Sequence, residues 1–199
     1  MKKYYFLGGK HTKVGTVAFA SGEIKLNHEL ISELEDKSIV PFDFVLRKAI
    51  EGRDQLIYSE DLSELSVLWQ DYQANSLAWP MMSEKMKNII QVNLKGNEEL
   101  DWITCTVKAN EECKTYYILR FNKMLDVLNI EKTLFINGTD NVLQPCFSLD
   151  KLKDYNVFTK PFSYNLWKIT PAIYISEELK KEMQKALLTG ITFEETRVE

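Results

Sequence analysis

The order of apolar runs in this 199-residue sequence predicts an α+β fold with a mixed or mainly antiparallel sheet and several short flanking helices. Three observations lead there. Runs with the two-residue alternation of strands recur from end to end, turns bearing glycine or asparagine separate many of them, and several stretches of helical period open at a Ser or Asn. No fixed-period repeat or low-complexity tract is present.

Residues 3–7 and 14–19 read as two strands around Gly8-Gly9-Lys10-His11-Thr12-Lys13, which predicts a hairpin. Asn27 is placed as the N-cap of a helix over about 28–36, with Leu26 and Ile31 spaced for a hydrophobic staple and Leu30, Ile31 and Leu34 giving its period. After Pro41, the alternation of Phe42, Phe44 and Leu46 predicts a half-buried strand, and residues 54–58 continue the sheet. Over residues 60–74 a helix would line up Leu62, Leu65, Trp69 and Tyr72 on one stripe and Glu60, Asp61, Glu64 and Asp71 along its flank. Trp79-Pro80 breaks the chain, because a residue before proline is pushed out of the helical region. A seam near 76–80 then divides an N-terminal part, 1–78, from a C-terminal part, 79–199, the two packed as one unit.

Ser83 followed by Glu84 opens a helix carrying Met86, Ile89, Ile90 and Leu94. Trp102–Val107 and Thr115–Phe121 are strands expected to pair across the Lys108–Lys114 turn, and Asn122 is placed as the cap of a helix over Met124–Ile130. Asn137-Gly138 predicts a hairpin between Thr133–Ile136 and Val142–Phe147, with Pro145 keeping the second strand at an edge. The chain closes with strand Ile173–Ile175, a helix capped by Ser176, a stop at Gly190 and a last strand, Ile191–Phe193.

Composition narrows the function. Hydrophobic residues are 45% of the chain and charged residues 27%, an ordinary globular balance with enough apolar surface for a core. The net charge is −4, from 25 Lys and Arg against 29 Asp and Glu, with no basic tail or stripe. A nucleic-acid or membrane-surface partner calls for clustered cations, so neither is expected. Cys105, Cys113 and Cys146 are too few and too scattered for a disulfide framework or a zinc site, which suggests a reducing compartment. The apolar run Tyr4–Leu7 is too short for a signal peptide and no run is long enough to span a bilayer, so a cytoplasmic location is expected.

Catalytic sets are hard to assemble. The two histidines, His11 and His28, fall in the first 30 residues and supply neither a relay nor a metal cluster. Cys105 lies on the apolar side of a strand and Cys113 follows Glu111 and Glu112, whose charge disfavours a thiolate. The Gly8–Thr12 segment has the letters of a phosphate-loop end but lacks the preceding glycine and the following helix. Carboxylate pairs at Glu60-Asp61, Glu98-Glu99, Glu111-Glu112 and Glu177-Glu178 keep a carboxylate enzyme open as an alternative. No catalytic residue, cofactor or metal is assigned.

The strongest local bias runs from Asp54 to Glu84, where six acidic residues occur with no Lys or Arg and with Tyr58, Trp69, Tyr72 and Trp79 among them. A solvated helix face over a packed stripe would produce this pattern, and so would a recognition surface, because carboxylates steer a basic partner while Trp and Tyr anchor it. On the second reading Glu60, Asp61, Glu64, Asp71, Tyr72 and Trp79 are the partner-binding candidates.

The order of motifs in the second half carries a resemblance. The segments WPMMSEKMKNII, YYILRFNKMLDVLNIEKT and PAIYISEELKKEMQKALLTGITFEE, taken in that order over about residues 79–196, resemble the eleventh immunity-protein family of bacterial polymorphic toxin systems, formerly a domain of unknown function. Tyr116, Tyr117, Asn122, Leu128, Ser176, Leu188, Thr189, Gly190 and Phe193 fall on family-like positions, while Asn129 and Thr133 stand where the pattern has Asp and Ser. The first 75 residues match loosely, as a region that varies with the toxin would. The resemblance implies an antitoxin that binds and blocks the toxic domain of a secreted or contact-delivered protein without catalysis of its own. A non-catalytic regulatory binding module is the remaining alternative.

Overall fold

A computed structural model describes residues 2–22 and 25–199. In chain order the elements are β1 (Tyr4–Gly9), β2 (Val14–Ala20), α1 (Asn27–Glu33), β3 (Phe44–Glu51), β4 (Leu56–Ser59), β5 (Tyr72–Gln73), β6 (Met81–Met82), α2 (Glu84–Val92), β7 (Leu100–Ala109), β8 (Glu112–Phe121), β9 (Leu134–Phe135), β10 (Val142–Gln144), α3 (Leu149–Leu152), β11 (Val157–Thr159), β12 (Ile173–Ser176), α4 (Glu177–Lys185) and β13 (Ile191–Glu195). This is the α+β class with mixed, mostly antiparallel sheets.

The larger sheet follows the path β2-β3-β7-β8-β6-β5, with β4 on the remaining half of β3. The β7–β8 hairpin forms as expected, in register from Leu100↔Phe121 to Ala109↔Glu112. β3 and β7 run parallel where Phe44 and Val45 meet Val107 and Lys108. The ends of the path meet. Ala18 N–H donates to Ala74 O (2.8 Å) and Ser76 N–H to Ala18 O (2.9 Å), and buried Gln73 donates from Nε2 to Thr16 O and Oγ1 (3.1 and 3.2 Å). Curling in this way leaves β2 and β5 without open edges along that seam. Phe44, Leu46, Ile103, Val107, Tyr116 and Ile118 fill the interior, and Leu30, Ile31 and Leu34 of the α1 region pack on it.

The smaller sheet, β11-β12-β1-β13, is entirely antiparallel. One face carries Tyr5, Leu7, Val157, Ile173 and Ile175 against Met86 and Ile90 of α2 and Leu179 and Met183 of α4. The other carries Tyr4, Phe158 and Tyr174 against Phe147, Leu125, Val127 and Leu152. The capped helices follow their sequence signals: the Ser83 hydroxyl accepts from Met86 N–H (3.2 Å) and the Ser176 hydroxyl from Leu179 N–H (3.3 Å).

Four expectations change. The segments at 3–7 and 14–19 are strands, but not a hairpin: β1 lies between β12 and β13, and β2 pairs with β3. Tyr4, Tyr5 and Leu7 are all buried, and a strand buried on both faces belongs inside a sheet. Strands from both sides of residue 78 therefore share both large sheets. Asn27 is the first residue of α1, not its cap; its Oδ1 accepts from Trp79 Nε1 (2.6 Å), and Leu26 occupies the cap position with its N–H held by the Glu29 carboxylate (3.0 Å).

The predicted helix over 60–74 is absent. Glu64 has a left-handed φ of 68° and Asp61 Oδ1 accepts from Ser63 N–H (2.9 Å), a local turn that competes with helix formation. Leu62, Leu65, Leu68 and Trp69 still pack against the core of the curled larger sheet, delivered by irregular chain. The helix placed over Met124–Ile130 is also absent. There Ser148 N–H donates to Val127 O (3.0 Å) and Asn129 N–H to Cys146 O (2.8 Å), so pairing with a distant segment displaces helical bonds.

Candidate interaction surface

The acidic stretch divides into an exposed part and an internal part. Glu60 lies on the bend after β4, where its carboxylate meets Arg47 Nη2 at 3.2 Å and stays largely in solvent. Asp61 and Glu64 follow, both exposed. Hydrogen bonds from Ser63 hold the Asp61 carboxyl below the usual aspartate value, so it keeps its charge readily. These three remain together on one surface bend.

The other three candidates serve the interior. Asp71 Oδ1 accepts from the Ser83 hydroxyl (2.7 Å), and Oδ2 accepts from both N–H and hydroxyl of Thr189 (2.9 and 3.0 Å). Its own N–H donates to Thr189 Oγ1 (2.9 Å) and its carbonyl accepts from Ser83 N–H (2.7 Å). This carboxylate ties the α2 start to the turn before β13. Tyr72 is 7% exposed in the core between the sheets, and Trp79 is 1% exposed in the core of the curled larger sheet. Neither ring can anchor a partner from there, and sequence pattern did not separate them from surface aromatics because both sit beside charged or proline residues.

Gly190 shows why the Thr-Gly pair lies where it does. Its φ is +76°, and a Cβ at that position would come within 2.4 Å of Tyr72 O. Its carbonyl accepts from Lys10 N–H (2.9 Å) as β1 leaves the sheet. A side chain there meets both strain and collision.

A cleft of about 530 Å³ opens between Trp69–Asp71, Ser83–Lys85 and the outward side of β8 from Cys113 to Tyr117. Two carboxylates line it. Asp71 is already engaged on both oxygens, and Glu84 stands in the first turn of α2, where the helix dipole favours a negative charge. Lys114 Nζ lies 4.8 Å from the Trp69 ring and Lys87 Nζ 3.9 Å from the Tyr117 ring, while Trp69 Nε1 donates to Glu112 (3.2 Å). Lys85 Nζ donates to Ala186 O at the end of α4 (2.7 Å). Asp71, Ser83, Thr189 and Lys85 are thus bonded within the fold and tie α2 to the end of α4 and the turn before β13.

The paired carboxylates do not converge. Glu98 is buried, with its oxygens accepting from the N–H groups of Lys95 (3.0 Å), Gly96 (2.9 Å) and Asn156 (2.9 Å), whereas Glu99 pairs with Lys123 at 3.0 Å. Backbone donors can hold a buried carboxylate without a cation. Burial pushes the Cys105 thiol up to about 12, the wrong direction for a nucleophile. Among the described residues no cluster of His, Cys, Asp or Glu could hold a metal ion, and no helix is long and apolar enough to cross a membrane.

Sequence reasoning passed over the surface beside the acidic bend. Leu56, Ile57 and Tyr58 on β4 are 46%, 50% and 44% exposed, and the Phe19 ring packs edge-on against Tyr58 with the Arg47 guanidinium 5.0 Å above it. The available signal was three consecutive apolar residues followed directly by Ser-Glu-Asp, an apolar strand with no polar face.

The fold and this surface define an α+β protein with an exposed apolar and acidic corner. Comparison with family models matches residues 29–198 to the Immunity protein family (Imm11), and the chain belongs to that family. The match begins well before residue 79, so the acidic stretch lies within the matched span. Comparison with curated proteins finds no match.

Proposed function

We propose that this immunity protein is the antitoxin of a polymorphic toxin system, binding the toxic domain of its cognate toxin in the cytoplasm of the producing bacterium and blocking it by occupancy, without turnover. Membership of the immunity family over residues 29–198 carries the reading. Glu60, Asp61 and Glu64 are the contact residues retained from the acidic stretch, since their carboxylates stand on an exposed bend. Asp71, Tyr72 and Trp79 are engaged inside the fold and are not retained as contacts.

Co-expression tests the role: cells producing the toxic domain encoded beside this chain survive when the chain is present. Loss of survival in its presence overturns the proposal. Steering tests the surface, because exposed charges act mainly on association. The double change Asp61→Lys with Glu64→Lys is expected to slow association about tenfold at low salt, to blunt its salt dependence and to leave dissociation nearly unchanged. An unaltered association rate and salt slope would remove this bend from the interface.

A further inference from the structure

Among the described residues β4 is an open edge of the larger sheet. One side pairs with β3, from Lys48↔Ser59 to Glu51↔Leu56 without a register shift, and no strand lies on the other. Folded proteins protect such edges with Lys, Pro, a bulge or a cover. β4, with the sequence Leu-Ile-Tyr-Ser, has none of the first three, and its apolar side chains stand half in solvent. The other outer strands of the two large sheets differ, and the separate β9-β10 pair is interrupted by a bulge between Val142 and Gln144. β2 and β5 are joined to each other by the Ala18 bonds, β11 is wholly buried, and β13 carries Glu194 and Glu195. The unprotected edge therefore lies beside the exposed acidic bend.

We infer that the toxin docks here by strand addition: an extended, basic segment of the toxic domain pairs its backbone with the free side of Leu56–Ser59, and its cations meet the carboxylates flanking the strand. The inference rests on the antitoxin reading above. Backbone pairing supplies the attachment in this mode, while flanking side chains select the partner. From Asp54 to Glu64 every charged residue is acidic. Arg47 pairs with Glu60, whereas Asp54, Asp61 and Glu64 have no ion pair among the described residues.

The same charges disfavour a second copy of this chain as occupant. Antiparallel self-pairing with Ile57 opposite Tyr58 of the other copy would set Asp54 against Asp61, and a shift to Ile57 opposite Ile57 would set Asp54 against Glu60. Like charges placed opposite one another oppose pairing. A basic strand reverses the sign of both contacts.

Hydrogen exchange of the full chain, alone and with the catalytically inactivated toxic domain encoded beside it, tests the inference. The β4 amides are expected to exchange at least about tenfold more slowly in the complex. Ile57→Lys places a cation on the open edge and is expected to weaken binding at least about tenfold, with the circular dichroism spectrum and melting temperature retained. The control Leu143→Lys, on the exposed aliphatic face of the β9–β10 hairpin, should alter affinity by less than about twofold. If the toxic domain does not bind, the antitoxin reading fails and strand addition fails with it. If it binds while β4 exchange is unchanged and protection lies at the cleft or the β9–β10 hairpin, strand addition alone is overturned. A free chain that sediments as a dimer with β4 already protected would assign the edge to a second copy and also overturn it.

Discussion

The β11-β12-β1-β13 sheet and the β2-β3-β4 corner are built from similar residues and differ in what covers them. In the former, aromatic and aliphatic side chains are covered on both faces: Phe158 stacks on Tyr174 with 5.5 Å between ring centroids, and Phe147 meets both rings edge-on at 5.0 and 4.6 Å. In the latter, Phe19, Arg47 and Tyr58 cluster on the outer face, with β4 open along one side. The contrast shows that an apolar strand becomes buried framework or stays exposed according to what lies against it. Stability is concentrated where both faces are covered, and the β4 edge, uncovered on one face and one side, is where the proposed docking would act.

The largest test of this contrast compares two aromatic truncations. Phe158→Ala should cost about 3–5 kcal/mol by denaturant unfolding, the usual loss for a fully buried aromatic, whereas Phe19→Ala should cost less than about 1 kcal/mol. Equal losses would erase the distinction between the regions. Next in size, Gly190→Ala should cost about 2–3 kcal/mol, since the new Cβ adds a collision with Tyr72 O to an unfavourable left-handed backbone; a melting temperature like that of the parent protein would show that the turn can move away.

A crossed comparison separates internal from external carboxylates. Asp71→Asn should lower stability by about 1–2 kcal/mol through its bonds to Ser83 and Thr189, while leaving the salt dependence of toxin association unchanged. The Asp61 and Glu64 reversals should do the converse. Identical effects on both readouts would mean that the bend and the clamp form one structural unit.

The smallest effect is in the acid limb of the stability curve. The folded protein holds the Asp61 carboxyl below its ordinary value, chiefly through hydrogen bonds from Ser63. Its contribution is therefore complete above the ordinary aspartate value and is lost as pH falls through the lowered one. Asp61→Asn should slightly flatten the decline of melting temperature below that ordinary value. Because the group is exposed, solvent screening keeps the change small, and an unchanged acid limb would show that the turn gives no preference to the charged carboxylate.

Legibility followed the range of the interactions. The Ser83 and Ser176 caps, the β7–β8 hairpin and the strand after Gly190 were readable because partners within a few residues decide them. Asp71 was readable as an acid in an aromatic stretch but not as a clamp, since Thr189 is 118 residues away in sequence. Glu98 was readable as half of a carboxylate pair, yet the N–H of Asn156, 58 residues away, helps hold it inside. Both carboxylates had surface-like sequence surroundings, and long-range donors decided their roles.

By itself, the sequence determined the α+β class, the positions of most strands, two of the helix starts and the order of motifs that marks the immunity family. Local periodicity, capping and turn chemistry carry that information and need no distant partner. Tertiary structure alone decided that β1 enters the far sheet instead of pairing with β2, that residues 60–71 pack as irregular chain, and that β4 is left at an edge. A strand's own residues say which faces are apolar, but what covers them depends on chain folded in from more than a hundred residues away.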